Sequence, residues 1–138
     1  HSGLEGVDII REYDQTLPTI VIDEKKIKQV FINLMMNAIH AVGKTGIIKL
    51  SSEFDSGNGQ IIVKISDTGH GIEKKHLPRI FDPFFTTKPT GEGTGLGLSV
   101  SYGIIKNHGG DILVETQPDK GSTFTVVLPV VSETKGIQ

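Results

Sequence analysis

The order of apolar and polar positions predicts one long amphipathic helix early in the chain. Between Asp23 and Gly43, apolar residues recur every three or four positions, and no glycine or proline interrupts them. Asp23 suits the N-cap, Glu24 favours the helix dipole in the first turn, and Gly43 suits the C-terminal end. The apolar stripe consists of Ile27, Phe31, Leu34, Met35, Ala38 and Val42.

β-Structure is predicted on both sides of this helix. Residues 47–54 and 60–66 are rich in β-formers and flank Ser56-Gly57-Asn58-Gly59, a strong hairpin signal. Short helices are predicted over residues 73–80 and 98–106. Further strands are predicted at residues 7–13, 19–22, 111–115 and 122–128. Irregular interleaving of strands and helices, with at least two hairpins, predicts the α+β class with a mixed sheet.

Length and composition restrict the class of protein. The 138 residues suit a single domain over residues 1–138, of which 1–6 resemble a tag remnant. The lack of cysteine excludes a disulfide framework, a cysteine-based zinc site and thiol catalysis. The net charge of −2 provides no basic field, so we expect no nucleic-acid partner. No apolar run approaches the roughly 20 residues of a membrane span, and we expect no signal peptide.

A polar stripe runs along the same helix as the apolar one. Asn33, Asn37 and His40 are four and three residues apart, so their side chains share one helix face. Asparagine is unfavourable inside a helix because its side chain competes for backbone hydrogen bonds. Taken alone, the stripe is typical of a solvated face. Two glycine-rich segments further along the chain favour a functional role instead.

The first of these segments is DTGHGI, residues 67–72, which follows an apolar strand. Glycine lets a flat ligand approach the backbone, and the Asp67 carboxylate can accept a hydrogen bond from an exocyclic amine, so adenine suits both. Asp-Thr-Gly is also the tripeptide of aspartic proteases, but those need two such carboxylates and the chain has no second copy. A tight turn built from Asp and Gly remains the alternative.

The second segment is GEGTGLGLS, residues 91–99, which leads into a predicted helix. Backbone N–H groups at a helix N-terminus attract anions, so the segment is typical of a phosphate-binding loop, although its spacing is neither the P-loop nor GxGxxG. A flexible linker is the alternative. Gly43-Lys44-Thr45 is not a P-loop, because Ala38 stands where the first glycine would be.

Together these motifs resemble the catalytic and ATP-binding domain of sensor histidine kinases. That family has five sequence motifs, called the N, G1, F, G2 and last glycine boxes. This chain has similar segments in the same order, at residues 29–42, 67–72, 81–88, 91–99 and 121–124. The resemblance covers about residues 23–129, and five motifs in the right order make it specific. It implies the Bergerat-type fold shared with gyrase, the heat-shock chaperone and mismatch-repair ATPases. This is a two-layer α/β sandwich whose mixed, mostly antiparallel sheet is covered on one face by helices.

The resemblance implies catalytic roles for three residues of the long helix. Asn37 corresponds to the asparagine that holds Mg²⁺, and a neutral amide suits a metal that keeps phosphate and water ligands. Asn33 stands where related ATPases carry the glutamate that activates water. An amide cannot act as that base, which fits the histidine kinase pattern. His40 stands where many members carry Lys or Arg towards the phosphates.

Cofactor-binding residues follow from the same resemblance. Asp67 corresponds to the residue that binds the adenine amine of ATP. Gly69, Gly71 and Ile72 shape the pocket around it. Thr123 supports the adenine side.

The resemblance also implies an ATP lid over residues 81–97. The phosphates are expected to contact Gly93, Thr94, Gly95, Leu96 and Gly97. Lys88 is a candidate phosphate contact, with a solvated lysine as the alternative. Phe81, Phe84 and Phe85 are expected to dock the lid on the body or on a partner, with burial in the core as the alternative.

The implied reaction is transfer of the γ-phosphoryl group of ATP, with Mg²⁺, to a histidine nitrogen. None of the five histidines stands in the His-Glu or His-Asp setting of the family's phosphoacceptor helix. We therefore expect a catalytic domain without the phosphoacceptor domain, acting on a separate histidine-containing dimerisation domain. A response regulator follows downstream. The expected state is a monomer for this cytoplasmic domain and a homodimer for the full-length enzyme, whose relatives are often membrane-anchored.

Two other functions stay open. A serine protein kinase of the anti-sigma type shares the nucleotide fold but transfers to serine. A nucleotide-binding interaction module would use the pocket without transfer. A self-sufficient ATPase is disfavoured because Asn33 cannot activate water.

Overall fold

A five-stranded mixed sheet forms one layer of the fold. A computed structural model describes residues 6–86 and 96–130. Its strands are β1 (Val7–Tyr13), β2 (Gly46–Asp55), β3 (Gln60–Asp67), β4 (Asp111–Gln117) and β5 (Gly121–Pro129). Their order is β1-β2-β3-β5-β4, with β1 parallel to β2 and the other neighbours antiparallel. The predicted α+β class with a mixed, mostly antiparallel sheet is confirmed.

Helices form the second layer. They are α1 (Glu24–Val42), a 3₁₀ helix (Lys74–Arg79) and α2 (Gly97–Asn107). The Asp23 side chain accepts from the Lys26 N–H at 3.2 Å, and Gly43 ends α1 at φ +65°, where glycine is favoured. Both predicted ends of the long helix are thus confirmed.

The core lies between the helices and one face of the sheet. Strand register brings inward-facing apolar residues into line across the sheet, and they pack against the apolar stripe of α1. Val30 and Leu34 of α1 and Ile105 of α2 are fully buried in this layer. The opposite face of the sheet is mixed, with exposed Ile10 and Leu113 among charged residues. The predicted two-layer arrangement is confirmed.

A histidine joins the far ends of the two α-helices. His108 follows α2, and its Nδ1 lies 2.8 Å from the carbonyl oxygen of Ile104. Because a carbonyl only accepts, Nδ1 carries the proton, and Nε2 is free to accept from the Asp23 N–H at 3.0 Å. The neutral ring therefore links the last turn of α2 to the N-cap of α1.

Two predicted elements differ in the structure. Residues 19–22 do not form the predicted strand, although Ile20 and Ile22 are half-buried and Val21 is exposed. They have the alternation of a strand, but they pair with none of the described strands. Within residues 73–80, predicted as a short helix, Lys74–Arg79 form a 3₁₀ helix that contains Pro78. None of the described helices is long and apolar enough to span a bilayer.

Replacing Leu34 by alanine should lower the free energy of unfolding by about 2–5 kcal/mol, because the cavity lies in a fully buried site. Urea denaturation measures the loss. Ile32→Ala is the matched control on the same helix, since that side chain is 48% exposed and should cost no more than about 0.5 kcal/mol. Equal losses for the two variants would contradict the assigned inner face of α1.

Candidate functional site

A cavity of about 370 Å³ opens between the polar stripe of α1, the end of β3, the 3₁₀ helix and the start of α2. Its wall brings together residues that the sequence analysis singled out on separate segments. These are Asn33, Asn37, His40, Asp67, Gly71, Ile72 and Gly97. The polar stripe of α1 therefore faces this cavity.

Asp67 is the buried charge of the site. Its side chain stands at the end of β3 and the residue is only 7% exposed. Burial raises the pKa of this carboxyl, opposed by hydrogen bonds from the N–H groups of Gly69, at 2.9 Å, and Ser122 and by nearby His70. The Asp67 carboxylate therefore accepts two backbone hydrogen bonds and lies on the wall of the cavity.

The glycines beside Asp67 are required by contacts within the protein. A Cβ at Gly69 would overlap the backbone of Ala41 in α1. A Cβ at Gly71, where φ is +71°, would likewise overlap the carbonyl group of Gln117. Residues 67–72 are thereby pressed between α1 and the β4–β5 turn. Gly71 and Ile72 line the cavity, whereas Gly69 supports the wall from behind.

The two asparagines of α1 have different surroundings. The Asn37 amide is half-buried on the cavity wall and has no hydrogen-bond partner among the described residues. In Asn33, Nδ2 donates to the Gly97 carbonyl and to Ser101 Oγ, both at 3.2 Å, and Oδ1 accepts from Gln29 at 2.7 Å. Asn33 therefore joins α1 to α2, while Asn37 is available to a ligand. The exposed His40 stands one turn further along the same wall.

The N-terminus of α2 also reaches the cavity, through Gly97 and Leu98. Leu96 is the N-cap residue and has helical dihedral angles, and no side-chain hydrogen bond caps this end among the described residues. The first N–H groups of a helix lack intrahelical acceptors and attract anions. The predicted contacts Lys88, Gly93, Thr94 and Gly95 lie outside the described residues, as does most of the predicted lid.

The three phenylalanines of residues 81–85 have separate environments. The Phe81 ring stacks on Tyr102 of α2 at 4.8 Å. Phe85 is half-buried and lines the cavity. The guanidinium carbon Cζ of Arg79 lies over its ring, 4.8 Å from the ring centroid. Phe84 is 73% exposed and has φ +68°, a strained value for an aromatic residue. Phe81 and Phe85 thus dock this segment on the body, and Phe84 points away from it.

The predicted adenine contact on β5 stands on the other side of its strand. Thr123 does not line the main cavity, and its Oγ1 lies 2.7 Å from Ser66 Oγ. Ser122, which pairs with Asp67 in the sheet, lines the cavity instead. The period of two along β5 could have identified Ser122, because Phe124 and Val126 are the inward residues of that strand. His70 and His76 also line the cavity and had not been selected.

Magnesium fits this wall only as part of a ligand complex. No three His, Asp or Glu side chains within residues 6–86 and 96–130 are grouped to hold a metal ion. The Asn37 amide oxygen offers one neutral ligand, which suits Mg²⁺ that keeps waters and phosphate oxygens. The donor set therefore agrees with a metal that arrives with a phosphate compound.

Residues 22–132 match the family described as histidine kinase-, DNA gyrase B- and HSP90-like ATPase. The chain belongs to this family. It is 47% identical over 117 residues to the sensor histidine kinase ZraS of Escherichia coli K12, covering 85% of this chain and 24% of ZraS. It is 43% identical over 124 residues to the histidine-protein kinase AtoS of the same strain, covering 90% of this chain and 20% of AtoS. The chain thus spans about a quarter or less of these curated relatives.

Solved structures of histidine kinases share the fold. The catalytic domain of ThkA aligns with a TM-score of 0.79 at 39% identity, over 91% of this chain and 80% of that one. ThkA in complex with the response regulator TrrA gives 0.74 at 36%, over 91% and 34%. Full-length ShkA in complex with AMPPNP gives 0.80 at 28%, over 92% and 26%. The Bergerat-type fold inferred from the motifs is confirmed.

Removing the Asp67 charge should change how stability depends on pH. Because burial raises the pKa of Asp67, the folded state keeps the carboxyl proton at pH values above 3.8, the ordinary pKa of the group. The unfolded chain releases that proton near pH 3.8, so folding stability falls as the pH rises from there to the pKa of the folded state. Asp67→Asn lacks this titration. The wild-type chain should therefore lose stability relative to the variant from about pH 4 upwards, by at most about 1.4 kcal/mol per pH unit. Urea denaturation of both proteins across this range measures the difference, and a flat difference would refute the assigned direction.

Proposed function

We propose that the cavity binds ATP together with Mg²⁺. We also propose that the chain is the catalytic domain of a sensor histidine kinase. The observation that carries the proposal is the common cavity. A buried carboxylate, a free amide and a helix N-terminus, from three distant segments, all face it. Membership of an ATPase family supports the nucleotide, and the similarity to ZraS and AtoS supports the kinase.

The three features match the three parts of the ligand. Asp67 accepts the hydrogen bond of the adenine amine, and Gly71 and Ile72 form the wall beside the base. The N-terminus of α2 attracts the phosphates, with Gly93, Thr94, Gly95 and Lys88 as further candidate contacts. Asn37 would hold Mg²⁺, which neutralises charge on the phosphates when bound. ShkA, a structural neighbour, was solved with AMPPNP, an ATP analogue.

In this proposal Asn33 helps to position the nucleotide for transfer and does not activate water. Asn33 stands on the cavity wall, but its amide is engaged with Gln29, Gly97 and Ser101. It has no basic lone pair with which to take a proton from water. Its role in the proposal is to hold the start of α2 against α1. The acceptor is then a histidine brought by another domain, and positioning accounts for most of the catalysis.

The acceptor histidine is assigned to a separate dimerisation domain. His40, His70 and His76 line the nucleotide cavity itself, and His108 is engaged between the two helices. The next step is transfer to a response-regulator aspartate, which the complex of ThkA with TrrA supports by analogy. The proposal includes a monomeric, cytoplasmic catalytic domain within a homodimeric enzyme.

Asn37→Ala should weaken Mg²⁺-ATP binding about tenfold or more, because a ligand to a charged group is lost. Calorimetry with Mg²⁺-ATP, and with ATP in a chelator, measures the effect. The loss should appear only with the metal. Asn107→Ala, at the exposed far end of α2, is the matched control and should bind as the wild type does. Equal Mg²⁺-ATP affinities for Asn37→Ala and the wild type would contradict the metal assignment.

Incubation with ATP labelled in the γ-phosphate and a separately supplied dimerisation domain should label that domain. The label should be acid-labile, as expected for phosphohistidine, and Asp67→Asn should reduce its rate of appearance at limiting ATP. The chain alone should show little label and little hydrolysis. Acid-stable label would instead identify a serine kinase, and nucleotide binding without any transfer would identify an interaction module.

A further inference from the structure

The adenine end of the cavity is formed by a cross-strand pair. Asp67 on β3 lies directly opposite Ser122 on β5, and both residues are only 7% exposed. Both side chains line the cavity. The hydrogen-bonding character of this end therefore depends on which way the Ser122 hydroxyl proton points.

Thr116 on β4 determines the direction of that proton. Its Oγ1 lies 3.1 Å from the Gly121 carbonyl and 2.8 Å from Ser122 Oγ, and it accepts from the Ile72 N–H at 2.8 Å. A hydroxyl has one proton and two lone pairs. The carbonyl can only accept, so the arrangement that satisfies all three partners of Thr116 sends its proton to Gly121 and makes Ser122 the donor in the hydroxyl pair.

The consequence is that this part of the cavity wall offers only hydrogen-bond acceptors. With its proton committed to Thr116, Ser122 has only lone pairs left for the cavity, beside the acceptor oxygens of Asp67. Such a wall fits the two donor hydrogens of an amino group. It repels the exocyclic carbonyl oxygen that a 6-oxopurine carries at the same position, because an acceptor facing an acceptor leaves both buried groups unpaired.

We propose that Thr116 is a positioning residue for nucleotide specificity, one that selects 6-aminopurines over 6-oxopurines by fixing the Ser122 hydroxyl and the Ile72 backbone. It acts through these two residues, since it does not itself line the main cavity. The inference rests on the proposed binding of ATP. It adds a residue behind the wall of the site that determines which purine base is preferred.

The test compares ATP with inosine triphosphate, which carries an oxygen in place of the adenine amine. Calorimetry on the whole chain gives the ratio of the two affinities. Thr116→Val removes the hydroxyl and frees the Ser122 proton to donate to the oxygen, so the preference for ATP should fall about tenfold. Thr116→Ser keeps the hydroxyl and should restore the wild-type ratio. A loss of stability alone lowers both affinities and leaves the ratio unchanged.

Two further variants make the test specific. Thr125→Val is the same substitution on the neighbouring strand at a buried position outside the main cavity, and the ratio should not change. Ser122→Ala should also lower the ratio, and in that background Thr116→Val should have no further effect, since the two act through one hydroxyl. Ser122→Ala tests the inference even if Thr116→Val does not fold.

The outcomes separate this inference from the proposed function. A reduced ratio in Thr116→Val and Ser122→Ala, with rescue by Thr116→Ser, supports it. ATP binding with an unchanged ratio in either of the first two variants overturns the inference and leaves the proposed function standing. Failure of the unsubstituted chain to bind either nucleotide contradicts both.

Discussion

The cavity depends on direct contact between backbones at glycine positions. Gly69 lies against Ala41 of α1, Gly71 against Gln117 at the end of β4, and Gly121 against the carbonyl of Asp67. At each contact a Cβ would overlap main-chain atoms that belong to a secondary-structure element, so the neighbour cannot simply turn aside. These contacts hold the segment after β3 between the helix layer and the β4–β5 hairpin. These contacts position Asp67, Gly71 and Ile72 on the cavity wall.

Much of the fold follows from local signals in the sequence. The spacing of apolar residues and the cap residues define α1, and the Ser56–Gly59 turn defines the β2–β3 hairpin. In both cases the residues that determine the structure lie close together in the sequence. Residues 19–22 show where local signals fail. They alternate as a strand does, but a strand also needs a hydrogen-bonding partner, and strand pairing is decided by the whole sheet.

Residues that the sequence singles out on separate segments line one cavity. A carboxylate beside glycines suits adenine and singles out Asp67, whereas the role of Asn37 follows from the family resemblance. Thr123 is the predicted adenine contact, whereas Ser122 lines the cavity, and the two hydroxyls are equivalent until the register of β5 is known. The engagement of Asn33 with Gly97 could not be derived either, because the partners are 64 positions apart. Packing partners distant along the chain leave no local signal.

α2 is fastened to α1 at both of its ends, by Asn33 at Gly97 and by His108 at Asp23. α2 therefore cannot pivot on α1 without breaking one of these two hydrogen bonds. Its first turn is therefore held in position on α1. A movement at the N-terminal end of α2 must therefore carry α1 with it, and with α1 the residues Asn37 and His40 of the cavity wall.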